Sequence, residues 1–113
     1  MPANPRKAQE LHQRLINFGA RITRVAKLLP RTDEGRYLSQ QLMRSGLSAA
    51  ANYAEARAAE SRADFIHKLR IVLKELNESK SWLEQATLIA ENQELCWIVV
   101  ASVKTARGGD SPI

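Results

Sequence analysis

Apolar residues recur at Leu11, Leu15, Phe18, Ile22, Val25 and Leu29, alternately four and three positions apart without a miss. That spacing matches a helix and not a strand, whose faces alternate every second residue. A heptad-like seam of this kind packs nearly in line with neighbouring helices, as in a bundle. Asn4-Pro5 marks its start, with asparagine as cap and proline where a missing N–H is harmless, and Pro30 marks its end. The first helix is therefore expected over about 5–29.

Thr32 or Asp33 can cap a second helix, over about 33–58, whose stripe Leu38, Leu42, Ser45, Ala49, Asn52 and Ala56 keeps the same spacing. After Leu42 the stripe is mostly small, which lets helix axes approach closely. Gly46 costs a helix interior roughly 1 kcal/mol against alanine, so it implies a close contact there. Ser61-Arg62-Ala63-Asp64 resembles a capping box. It opens a third helix over about 62–90 with Phe65, Leu69, Val72, Leu76, Leu83, Ala86 and Ala90 along its stripe. The pattern breaks at Glu91-Asn92-Gln93, and the apolar run Leu95 to Ala101 then predicts a short fourth helix over about 93–106, closed by Gly108-Gly109. A frayed tail over 107–113 follows. The expected fold is an all-α, up-and-down antiparallel four-helix bundle in one domain, 1–113.

A chain of 113 residues has room for one core. With 44% hydrophobic and 26% charged residues it matches ordinary globular composition, which excludes disorder and fibrous repeats. The lone Cys96 excludes an intrachain disulfide. No apolar run approaches the length of a membrane span, and no signal peptide opens the chain. A cytoplasmic location with no membrane role is the expectation. The net charge of +5 is uneven: residues 1–31 hold seven basic groups against Glu10, whereas the remainder is balanced to within one charge. Electrostatic attraction to a partner therefore resides in the first helix.

Two segments carry a family resemblance. Asp64 to Leu83, reading DFIHKLRIVLKELNESKSWL, and the pair Gln41-Leu42-Met43-Arg44-Ser45 with Asn52-Tyr53-Ala54-Glu55 resemble the proteins encoded in intervening sequences of bacterial 23S rRNA genes. The resemblance covers about residues 9–90. It implies an up-and-down four-helix bundle, often a ring of five, without known catalytic activity. Members have carried a ribosomal-protein label, and a basic accessory protein of diversity-generating retroelements, thought to bind nucleic acid and a reverse transcriptase, is a relative. Here Ala56 stands where the family motif has glycine, and the fourth helix is divergent.

Arg44, Asn52 and Glu55 on the second helix, with Glu75 and Glu78 on the third, lie on or beside the seams. They are read as an interhelix hydrogen-bond and salt-bridge network fixing register rather than as a polar active site. Asp64 and His67 have the spacing of one half of a di-iron site, but such sites need a second pair and further glutamates, so no metal and no cofactor are expected. The sequence holds no nucleophile constellation and no phosphate loop, which argues against an enzyme.

At about 100° per residue, Lys7, Arg14 and Arg21 border the first seam, and Arg6, Arg24, Lys27 and Arg31 continue that flank outward. Arg14, Arg21, Arg24, Lys27 and Arg31 are the candidate contacts to RNA or DNA phosphates, with little base specificity because no aromatic residues are interleaved among them. The other flank, Ala8, His12, Gly19, Thr23 and Ala26, is uncharged. Together with the apolar fourth helix (Trp97, Ile98 and Val100) it is expected to join copies of the chain into a homo-oligomer, the resemblance implying a pentamer. Trp82, Trp97 and Tyr53 are read as packing groups rather than as a stacking platform. The alternative to nucleic-acid binding is a protein-interaction scaffold whose charge serves solubility.

Overall fold

The computed structural model describes residues 4–108, which form three helices: α1 (Pro5–Lys27), α2 (Asp33–Arg57) and α3 (Arg62–Arg107). Short connections make α1 and α2, and then α2 and α3, antiparallel neighbours, with α2 in the middle. Each start follows from a side-chain cap. Asn4 Oδ1 accepts from the amides of Arg6 and Lys7, Thr32 Oγ1 from Gly35, and Ser61 Oγ from Asp64, satisfying donors the first turn cannot pair.

The expected fourth helix is not separate. α3 runs unbroken for 46 residues through Glu91-Asn92-Gln93, so the expected boundaries 62–90 and 93–106 merge, and the antiparallel four-helix bundle is corrected to three helices. The polar stretch removes a packing face, but Glu, Asn and Gln are all compatible with helix, and neither glycine nor proline interrupts it. Loss of apolar periodicity there marks the edge of the bundle and not the end of the helix. At about 1.5 Å per residue α3 is ~69 Å long, which accounts for the 72 Å longest dimension. Gly108 caps it; the rest of the expected tail lies outside the described residues.

The core has two clusters. Leu15, Ala49, Tyr53 and Val72 fill one, and Ile22, Ala26, Leu29, Leu38, Leu42 and Ala86 the other, with Phe18, Trp82, Leu83 and Ile89 packed around it. The first seam therefore divides. Leu15, Ile22 and Leu29 are buried, joined by Ala8, Gly19 and Ala26, whereas Leu11 and Val25 are exposed. The physical reason is close approach. A Cβ built on Gly19 would lie 3.1 Å from the Gly46 carbonyl oxygen, and one on Gly46 only 2.8 Å from Ile22 Cγ2. With so little side-chain volume between them, α1 turns its small residues onto α2. The uncharged flank of α1 is thus an intrachain contact, which corrects its expected role as a surface for a second subunit.

Gly46→Ala should lower stability despite the better helix propensity of alanine, because crowding of Ile22 costs 1–3 kcal/mol and propensity returns about 1 kcal/mol. We expect a net loss of about 1 kcal/mol, a fall of a few degrees in melting temperature. A rise in melting temperature would mean that the two helices do not touch at this point.

Candidate nucleic-acid interface

Because Ala8, Leu15, Gly19, Ile22 and Ala26 hold one side of α1 against α2, the remaining side is fixed toward solvent. Arg14, Arg21, Arg24 and Lys27 all lie on it and are exposed, as is Arg31 in the turn that follows. At about 100° and 1.5 Å per residue the four on α1 spread over roughly 140° of the circumference and ~20 Å of length. None of the five makes an ion pair among the described residues. The one acid of α1, Glu10, pairs instead with Arg6, at 3.3 Å on the open surface. The structure therefore presents an unneutralised basic surface along α1, a shape that suits phosphate contacts along a polyanion more than recognition of a small anion; at its end Arg31 borders a hollow with Leu28, Thr32, Glu94 and Trp97.

The expected polar network is only partly assembled. Arg44 reaches across from α2 to α3, donating from Nη1 to Glu75 Oε2 at 3.2 Å and from Nη2 to Glu78 Oε2 at 2.6 Å, with Gln41 bracing its Nε. Hydrogen bonding to Glu78 is the main cause that raises the Arg44 pKa, with burial opposing it. Glu55 lies apart from this cluster and meets Lys68 at 3.0 Å near the other end of the helices. Asn52 does not join either group: its Nδ2 donates to the Ser48 carbonyl of its own helix, which overturns its expected interhelix role. In its place the sequence reading missed Ser79, whose Oγ donates to the Ser45 Oγ at 2.9 Å, both side chains fully buried. A serine at stripe spacing between Val72 and Ala86 was the available signal.

Trp97, Ile98 and Val100, expected at a subunit interface, are 67%, 50% and 52% exposed. They lie on α3 beyond the last buried residue, Ala86. Trp97 is thus not a packing group within the chain, unlike Tyr53, which is buried, and Trp82, which meets Tyr37 edge-on with ring centroids 6.0 Å apart. No group of three or more His, Cys, Asp or Glu side chains suited to a metal comes together among the described residues. No described helix is long and apolar enough to cross a membrane.

Truncating Arg44 to Ala leaves Glu75, only 12% exposed, without its cation. Because Arg44 itself is about half exposed, we expect a cost of about 1–2 kcal/mol rather than the larger penalty of a fully buried pair. Lys68→Ala, which opens a more exposed pair, should cost under about 0.5 kcal/mol beyond its helix propensity. Urea unfolding of both variants checks the ranking, and equal losses would contradict it.

Neither a curated protein nor a solved structure matches the chain. Residues 7–93 do match a family, and the match spans α1, α2 and the part of α3 that packs on them, ending where α3 leaves the bundle. On that match, over most of its length, the chain belongs to the 23S rRNA-intervening sequence protein family.

Proposed function

We propose that the chain is a non-catalytic, self-associating helical-bundle protein of the cytoplasm that binds nucleic acid, RNA or a ribonucleoprotein foremost, through the outer side of α1. The observation that carries this reading is the set of five exposed cations, Arg14, Arg21, Arg24, Lys27 and Arg31, none with a carboxylate partner among the described residues. Cations left unneutralised on a side where packing forbids rotation toward the core are available to phosphate oxygens, and binding releases the counterions those phosphates held. The free thiol of Cys96 on an exposed helix suits a reducing compartment. Self-association draws on the exposed apolar C-terminal part of α3. That same apolar surface favours a second reading, a scaffold for another protein, in which the charge of α1 serves only solubility.

A gel shift over a range of salt concentrations separates the two. Five phosphate contacts give log K against log salt a slope of about −4.5 on duplex, at roughly −0.9 per contact. Replacing Arg14, Arg21, Arg24 and Lys27 with Gln should remove about three to four units of that slope and abolish binding near physiological salt. Unchanged affinity in the quadruple variant, with a structured RNA and with duplex DNA alike, overturns the assignment and leaves the scaffold.

A further inference from the structure

Beyond the bundle α3 continues as an arm, and the first two turns of that arm enclose a hollow with the connection between α1 and α2. The hollow measures about 620 Å³, inside the range of roughly 300–1,000 Å³ in which small molecules are held. Leu28, Arg31 and Thr32 line it on one side, and Gln93, Glu94 and Trp97 on the other. The last three are neighbours on one face of α3, three and four residues apart. Leu28 and Trp97 are 81% and 67% exposed, so an apolar side chain and an indole ring are both open to a planar guest. Arg31 and Glu94 bring opposite charges to the hollow, yet neither makes an ion pair among the described residues. A guest that satisfies both has donors for the carboxylate and negative charge for the guanidinium. Arg31 is also the last of the five cations along α1 and its turn, so a strand whose phosphates follow them reaches the hollow there. The aromatic group that the basic surface lacks in sequence is brought to its end by the fold.

We propose that the hollow receives an unpaired guanine of the bound nucleic acid. The inference rests on phosphate binding by α1 and adds a base preference to it. The base stacks on Trp97, its phosphate lies on Arg31, and Glu94 accepts from the base edge. Guanine alone among the common bases presents two adjacent donors, N1–H and the N2 amino group, on its Watson–Crick edge, so a carboxylate selects it. Adenine and cytosine set an acceptor beside their amino donor, and uracil has one N–H between two carbonyls. The amide of Gln93 offers a donor to guanine O6. A paired guanine spends these groups on its partner, so the base must be unpaired. Leu88, Leu95 and Val99 are exposed on the side of α3 opposite Trp97, at about 100° per residue, and stay open to a second copy.

The test uses the whole chain with three RNA hairpins that differ in one loop base, guanine, inosine or adenine, and a blunt duplex of the same stem. Inosine keeps N1–H and O6 but lacks the amino group, so the base exchange probes Glu94 without altering the protein. Affinity should fall from guanine to inosine to adenine, about tenfold or more in all, and the guanine hairpin should quench tryptophan fluorescence. Trp97→Leu should weaken the guanine hairpin about tenfold more than the blunt duplex, and Glu94→Gln should erase the preference for guanine over adenine. Both residues lie beyond the last buried residue of α3, so circular dichroism should show helix content unchanged. Failure of every probe to bind overturns the guanine site and the α1 reading together. Equal affinity for the three hairpins, at a salt dependence that still requires the α1 cations, overturns the guanine site alone. Guanosine monophosphate that displaces the guanine hairpin at the hairpin's own concentration overturns a strand as the occupant.

Discussion

The contact between α1 and α2 at Gly19, Gly46 and Ile22 orients everything else on the first helix. Two glycines facing one another leave a backbone oxygen and an isoleucine branch as the packing partners, with distances at which an added methyl does not fit. Turning α1 about its axis would bring a larger side chain than Gly19 against Gly46 of α2, so the close contact holds α1 in this orientation. That orientation buries Ala8 and Ala26 and turns Arg14, Arg21, Arg24 and Lys27 outward together. The basic surface is thus a consequence of steric fit on the other side of the same helix.

The α2–α3 contact uses a different physical device. Ser45 and Ser79 share a hydrogen bond where both are fully buried, and Arg44 bridges to Glu75 and Glu78 at the edge of that contact. Both buried hydroxyls have a partner, so the small residues of the α2 stripe allow close approach without leaving an unpaired hydroxyl, although the Trp82 Nε1 nearby is buried without one. These contacts fix the register between α2 and α3, and from Ala86 onward α3 has less and less to pack against. The arm therefore arises from unequal lengths, a 46-residue helix beside helices of 23 and 25 residues.

Much of this was legible in the chain. Caps at Asn4, Thr32 and Ser61 place the three helix starts because capping is a local interaction within three residues, and Gly46 signals close approach because a mid-helix glycine needs a reason. The charge on α1 was legible for the same reason of locality. Three readings failed where the answer depended on tertiary contacts. Glu91-Asn92-Gln93 reads as a break by periodicity, yet a polar run on an unpacked helix stays helical. The uncharged flank of α1 reads as a free surface, yet small uncharged residues are what a tight intrachain contact selects. Asn52 reads as a network member by its position on the stripe, yet its amide finds an acceptor one turn back in its own helix.

The account stands or falls on α1 presenting its cations to a polyanion while its opposite side stays sealed against α2. Amide hydrogen exchange of the whole chain, with and without a saturating structured RNA, tests this directly. The account predicts added amide protection confined to the span from Arg14 to Arg31 and the hollow at its end, with the α2–α3 contact around Ser45 and Ser79 unchanged. Protection that appears on the α3 arm instead, or none at saturating RNA, would contradict it.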